Sequence, residues 1–264
     1  MPKAAVNDIE VHYDIHGRGD PVMLIVGLNG VGAMWGPQVS LFAKDLQTIV
    51  PDHRGCGQTS APETGYTIAQ HASDMAETLR ALGCGPAHIV GSSTGGAIAM
   101  EMALDHPDVV RSVVSVSSWA KTDGYFRQQF EVRRTVLKDL GLRAHQEYSA
   151  TFLWGASFLR NHYEKVRKWI ELTAAKPESI EIMIKRIDMI LAQDQLNRLG
   201  QVEKPTLVMV GKEDICTPPY LSEEIAAATP GAELAILDGG HFFYKEINPE
   251  AFYSRVREFL LGMR

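Results

Sequence analysis

Cysteine is scarce in this chain: among 264 residues there are three, Cys56, Cys84 and Cys216. An odd number at wide, irregular spacing supplies neither a disulfide framework nor a zinc site, and it fits a reducing compartment. Paired His and Cys at metal-ligand spacing are also lacking, although nine His are spread along the chain. No metal is therefore expected. The longest unbroken apolar run, "VMLIV" at 22–26, is far too short to cross a bilayer. Excess positive charge is missing as well. Lys and Arg number 26 against 32 Asp and Glu, interspersed, for a net charge of −6. That balance gives no reason to expect nucleic acid or an anionic membrane as partner. The opening "MPKAAVNDIEVHYDIHG" lacks the apolar centre of a secretory leader. A cytoplasmic protein acting on a small molecule is the expectation.

Apolar residues make up 45% of the chain, enough for one large core. "IEVHYDI" alternates as a half-buried strand does, and "PVMLIVG" reads as a strand buried on both faces. A short helix is predicted over 35–46 and a strand in "QTIVPD". Ile68, Ala72, Met75 and Leu79 recur at helical spacing, with Gly83 as the stop. "AHIVGS", a helix over 94–105 and "RSVVSVSS" continue the alternation, which implies a parallel sheet covered on both faces. From about 120 to 199 only helical periodicity remains. Strand and helix alternation then resumes with "KPTLVMVGKED", "AELAILDGGH" and a last helix over 249–261. The expected organisation is a core in two parts, 1–119 and 200–264, with a helical cap, 120–199, inserted between them.

"HIVGSSTGGAIAMEMALDHP" carries the chemistry. Gly91, Ser93 and Gly95 form G-x-S-x-G between an apolar strand and an amphipathic helix, the setting in which a sharp elbow lifts a serine above a sheet. Side chains at 91 and 95 would crowd that elbow. A serine hydroxyl needs a base within hydrogen-bond reach, and His241 follows the last predicted strand in "LDGGHFFYKEINPEAF". The base needs a carboxylate to orient it. "VMVGKEDICTP" offers Glu213 and Asp214; Asp214 fits better, with Glu213 facing solvent. Ser93, Asp214 and His241 are thus the candidate catalytic residues. Backbone N–H groups should hold the developing oxyanion, one from Thr94 and one from Leu28 in "GLNGVG", with Asn29 as a polar neighbour. Such a mechanism uses no cofactor.

Across its full length the chain resembles the α/β-hydrolase fold family, through "GLNGVGAMW", "PDHRGCGQTSAP", "VGSSTGGAIAMEMALDHPDVVRSVV", "PTLVMVGKEDICTP" and "GGHFFYKEINPEAF" in that order. Within the family it is most similar to 3-oxoadipate enol-lactonases and aminoacrylate hydrolases, an impression that "FRQQFEVRRTVL" strengthens. The resemblance implies a mostly parallel eight-stranded sheet flanked by helices, an all-helical cap, and a homodimer as an expectation that no heptad or exposed stripe supports. Many members carry His-Gly at the oxyanion loop, where this chain has Val26-Gly27. "DHRGCGQTS" is assigned a structural role.

In the inserted segment Phe126, Phe130, Arg133, Leu137 and Leu140 share one helical face, so Arg133 projects from an apolar stripe. It is either paired with a buried carboxylate, snorkelling to water, or an anchor for an acidic substrate. Trp119 and Trp154 are expected as pocket walls beside Phe126 and Phe130. A small ester, lactone or amide-like bond is the expected target. Ligand binding without turnover, perhydrolysis and C–C cleavage are the alternatives on the same constellation.

Overall fold

The computed structural model describes residues 2–175 and 179–262. In chain order its elements are β1 (Lys3–Val6), β2 (Ile9–His16), β3 (Pro21–Ile25), α1 (Pro37–Phe42), β4 (Gln47–Pro51), α2 (Ile68–Leu82), β5 (Ala87–Ser92), α3 (Thr94–Asp105) and β6 (Val110–Val116). Then come α4 (Gly124–Leu153), α5 (Ala156–Asn161), α6 (Tyr163–Ala174), α7 (Ile180–Ala192), β7 (Thr206–Gly211), α8 (Pro219–Ala228), β8 (Glu233–Leu237), α9 (Phe243–Glu246) and α10 (Pro249–Leu261).

The strands form one eight-stranded sheet in the order β1-β2-β4-β3-β5-β6-β7-β8. The β1–β2 and β2–β4 pairs are antiparallel and the others parallel. Successive residues of the central strands serve opposite faces. Met23, Ile25, Ile89 and Val113 pack with α2 and α3. Leu24, Val90 and Val114 pack with Trp35, α1 and α10. Runs such as "PVMLI" are continuous because both of their faces are dry.

The helices follow the sequence signals closely where caps are present. Thr67 accepts from the Gln70 N–H at the start of α2, and Gly83 ends it in the left-handed conformation at φ 62°. Strand β1 has no counterpart in the sequence reading, because four residues are too few for alternation to register. The predicted helix over 35–46 is shorter, a 3-10 turn (Gly32–Trp35) followed by α1. Pro37 stands at its first turn, where a missing N–H does no harm.

Among the described residues between β6 and β7 there is no strand, only helices α4 to α7 and a 3-10 turn (Leu196–Gln201). α4 is two helical stretches joined at a kink, where Gly141 takes φ 81°. Leu140 beside it is exposed rather than on the buried stripe, since the kink ends the periodicity that placed it there. Among the described residues no helix is long and apolar enough to cross a membrane.

Candidate active site

The carboxyl ends of four parallel strands meet at one rim of the sheet. β5 delivers Ser93, β7 delivers Asp214, β8 delivers His241 and β3 delivers the loop Gly27–Gly30. In an open parallel sheet this rim is where ligands bind.

Ser93 is held at φ 54° and ψ −120°, a conformation L side chains rarely adopt. The two flanking glycines show what the turn demands. A Cβ on Gly91 would stand 2.0 Å from the Gly95 carbonyl oxygen, and one on Gly95 would stand 2.0 Å from that of Ile25. Backbone cannot yield by so much, so both positions are closed to any side chain. Ser93 N–H donates to the Val116 carbonyl at 2.8 Å and the Ser118 hydroxyl donates to the Ser93 carbonyl at 2.9 Å, which pins the elbow from the neighbouring strand.

His241 and Asp214 are both buried. Their side chains meet at 2.9 Å between Nδ1 and Oδ2. Asp214 is fully satisfied: Oδ1 accepts from the backbone N–H groups of Cys216 and Thr217, each at 2.9 Å, and Oδ2 also accepts from the Thr217 hydroxyl at 2.9 Å. With Nδ1–H donated to Asp214, the His241 Nε2 lone pair is left for a hydroxyl. Glu213 is exposed and accepts from Ser157 instead. Thr217, one residue from Pro218, was missed by the sequence reading. Its hydroxyl lies 3.1 Å from His241 Nδ1 and so touches both partners.

Ser93 and His241 line one cavity of about 50 Å3, together with Val26, Gly27, Leu28 and Asn29 from the β3 loop. Phe130 and Arg133 of α4 line it too. Trp119, Phe126 and Trp154 are not among its lining residues. Trp119 and Phe126 meet as tilted rings, centroids 4.7 Å apart, inside the core, and Trp154 packs against Trp169 at 4.6 Å and Phe242 at 5.1 Å. Helical spacing put Phe126 on an apolar face without saying what that face covers, and Trp119 was placed only by its position at the entry to the inserted segment.

Arg133 is 4% exposed. Its guanidinium lies 4.4 Å over the Phe130 ring, donates to Ser149 at 3.2 Å and reaches the Cys216 sulfur at 3.8 Å. Among the described residues it has no carboxylate partner, and burial lowers its pKa, with Cys216 opposing. Neither of the two structural accounts, a buried ion pair or a snorkelling head, describes it. Cys216 itself is buried beside the site, its thiol pushed up to about 12 by burial, which makes it an inert filler.

A second cation lies in the same lining and was not read from the sequence: Lys245, on the short helix α9. Its ammonium stands 3.9 Å over the Phe242 ring and 3.4 Å from the Met34 carbonyl. Burial lowers its pKa to about 8, with Glu246 opposing. Glu246 is taken by Lys165 at 2.5 Å. A four-residue helix offers no periodicity, so only its position four residues after His241 hinted at a place in the site. Among the described residues no group of three or more His, Cys, Asp or Glu side chains could hold a metal ion.

This sheet, elbow and rim define an α/β-hydrolase. Residues 20–246 match the model of the alpha/beta hydrolase fold, so the chain belongs to that family and with it to the hydrolases. Among curated relatives it is 34% identical to "Putative carbamate hydrolase RutD" of Azorhizobium caulinodans, over 99% of this chain and 97% of the relative. Among solved structures it is similar to the enol-lactonase from Burkholderia xenovorans LB400, with 26% identity, a TM-score of 0.89 and coverage of 98% and 100% of the two chains. It is also similar to a malate-bound thermophilic esterase from Thermogutta terrifontis, with 26% identity, a TM-score of 0.87 and coverage of 99% and 98%.

Proposed function

We propose that the chain is a serine hydrolase that cleaves a small ester, lactone, amide-like or carbamate bond in a substrate bearing an acid group. The observation that carries the reading is the His241–Asp214 contact of 2.9 Å, with His241 lining the same cavity as Ser93 at its elbow. His241 Nε2 takes the Ser93 proton as the oxygen attacks the carbonyl carbon. The tetrahedral oxyanion is held by the N–H groups of Leu28 and Thr94, which among the described residues donate to no protein acceptor. His241 then protonates the departing alcohol or amine, and water, activated by the same imidazole, clears the acyl-enzyme. Helices α4 to α7 act as the cap over the cavity.

The acid group follows from Arg133 and Lys245. Burying a cation without a counter-ion, as at Arg133, is costly, and with the half-buried Lys245 in the same lining the cavity suits an anionic ligand that supplies the missing charge on binding. The malate in the esterase neighbour and the carbamate in the relative's name are consistent with that chemistry.

A panel of esters, lactones and carbamates, each in neutral and carboxylated form, tests the proposal. Arg133→Met should raise KM for the carboxylated member by about 10–100-fold, the worth of a charged hydrogen-bonded contact. It should leave the neutral member within about threefold and should not lower Tm, because no internal ion pair is broken. Equal effects on both members would remove the anchor. Tight binding without turnover in the wild type would replace the hydrolase reading by a ligand-binding one.

The pH dependence has a definite sign. Lys245 is charged below about pH 8 and neutral above it. KM for an acidic substrate should therefore be flat below pH 8 and rise above it, while KM for a neutral ester stays level. Lys245→Met should abolish the rise. A rise that survives this substitution would assign it elsewhere.

A further inference from the structure

Arg186, on α7, is fully buried, yet among the described residues it meets no carboxylate. Arg54 provides the contrast, since it is buried against Asp74 at 2.8 Å and Asp8 at 2.6 Å. The Arg186 guanidinium is surrounded by neutral acceptors. Nε donates to the Leu28 carbonyl at 2.9 Å, Nη1 to the Arg54 carbonyl at 3.3 Å and to His71 Nε2 at 3.2 Å, and Nη2 to His53 Nδ1 at 3.0 Å. His71 Nδ1 lies 2.9 Å from the Thr67 carbonyl and donates to it, so its other nitrogen is free to accept. Both imidazoles stay neutral. Burial and the adjacent Arg186 charge take His71 down to about 3 and His53 well below its ordinary value. A cation solvated only by lone pairs adds little to stability, so its place in the fold calls for another account.

The Leu28 carbonyl supplies one. Gly30 N–H donates to the Gly27 carbonyl at 3.0 Å, which makes residues 27–30 a β-turn with Leu28 and Asn29 at its centre. The central peptide of such a turn can flip by about 180°, the difference between turn types I and II. Its carbonyl is that of Leu28, the atom Arg186 holds. The Gly30 carbonyl accepts from His53 N–H at 2.7 Å, so the outer peptide is fixed independently. Arg186 is the contact that decides which way the middle of the loop faces.

We infer that Arg186 is a positioning residue: from α7 it holds the Leu28–Asn29 peptide and, through the backbone torsions of Leu28, the orientation of the adjoining Gly27–Leu28 peptide whose N–H faces the oxyanion, coupling the seating of the inserted helices to turnover. The residue lies outside the lining of the cavity that holds Ser93 and His241. Its loss acts through the loop, on kcat rather than on KM. This inference rests on the hydrolase reading above.

The test compares p-nitrophenyl acetate hydrolysis per active site, sites being counted by the end point of fluorophosphonate labelling. Arg186→Met should lower kcat per site by about 30–100-fold, approaching the loss of one oxyanion donor, with KM within about twofold and a parallel fall in the rate of labelling. Arg186→Lys keeps the charge but only part of the fork of donors, so it should bring kcat back to about threefold to tenfold below wild type. Ile187→Ala, at a fully buried neighbour on the same helix, should lower Tm but leave kcat per site unchanged. A merely structural role for Arg186 would make Arg186→Met behave like Ile187→Ala, and that result overturns the inference. Should Arg186→Met be insoluble, Arg186→Lys decides: kcat per site about threefold to tenfold below wild type supports the inference, and an unchanged value overturns it. A wild type that neither turns over nor labels sinks the hydrolase reading first, whereas an active wild type with an unaffected Arg186→Met sinks this inference alone.

Discussion

Ser93→Ala should reduce kcat by about 10⁴-fold or more, with Tm and the folded fraction unchanged. The size of the loss follows from the chemistry. Without an attacking oxygen the enzyme retains only what oriented donors and the cavity contribute to attack by water. The absence of a stability effect follows from the geometry. Ser93 does not cap α3 with its side chain, and both hydrogen bonds that pin it run through its backbone. Alanine at φ 54° carries the same backbone strain as serine, so the elbow keeps its shape. Measured kcat on the best substrate of the panel, with thermal denaturation alongside, checks both halves. Turnover above about 1% of wild type would contradict the nucleophile assignment.

Asp214→Asn should cost nearly as much, about 10⁴-fold in kcat, although it removes one charge and hardly any volume. Oδ1 accepts from two backbone N–H groups, Cys216 and Thr217. In the variant only the amide oxygen can occupy that position, which turns the amide NH₂ toward His241 Nδ1. The imidazole must then accept at Nδ1 and carry its proton on Nε2. That tautomer cannot take a proton from Ser93. Backbone donors two and three residues along the chain thus force the asparagine into its harmful orientation. A loss of less than about tenfold would show that His241 does not depend on Asp214.

Much of the site was legible in the sequence where backbone crowding leaves its mark on residue type. Gly91 and Gly95 are such marks, since a Cβ at either meets a carbonyl oxygen at 2.0 Å. The order of Ser93, Asp214 and His241 along a strand–helix alternation was legible for the same reason: each follows a strand whose apolar run announces its end. Arg133 stood out as a cation within an apolar stripe, and the cavity receives it. Trp119, Phe126 and Trp154 did not follow suit: spacing reveals that the face of Phe126 is buried but not whether core or cavity lies against it, and nearness to the inserted segment says no more for the two tryptophans. Arg186 was hidden beside the Ile184–Ile187 pair of a helix read as apolar. Its partners come from three separate segments, and no local pattern brings Leu28, His53, Arg54 and His71 together. Lys245 and β1 sit in elements of four residues, too short for periodicity to speak.

In the proposed reaction Ser93 supplies the attacking oxygen under the influence of His241 and Asp214. Intact-protein and peptide mass spectrometry after reaction with a fluorophosphonate tests it most directly. The expected result is one phosphonyl group per chain, carried by the peptide containing Ser93, formed at a much lower rate in Asp214→Asn and not at all in Ser93→Ala. An unmodified wild type, or an adduct that persists in Ser93→Ala, would contradict it.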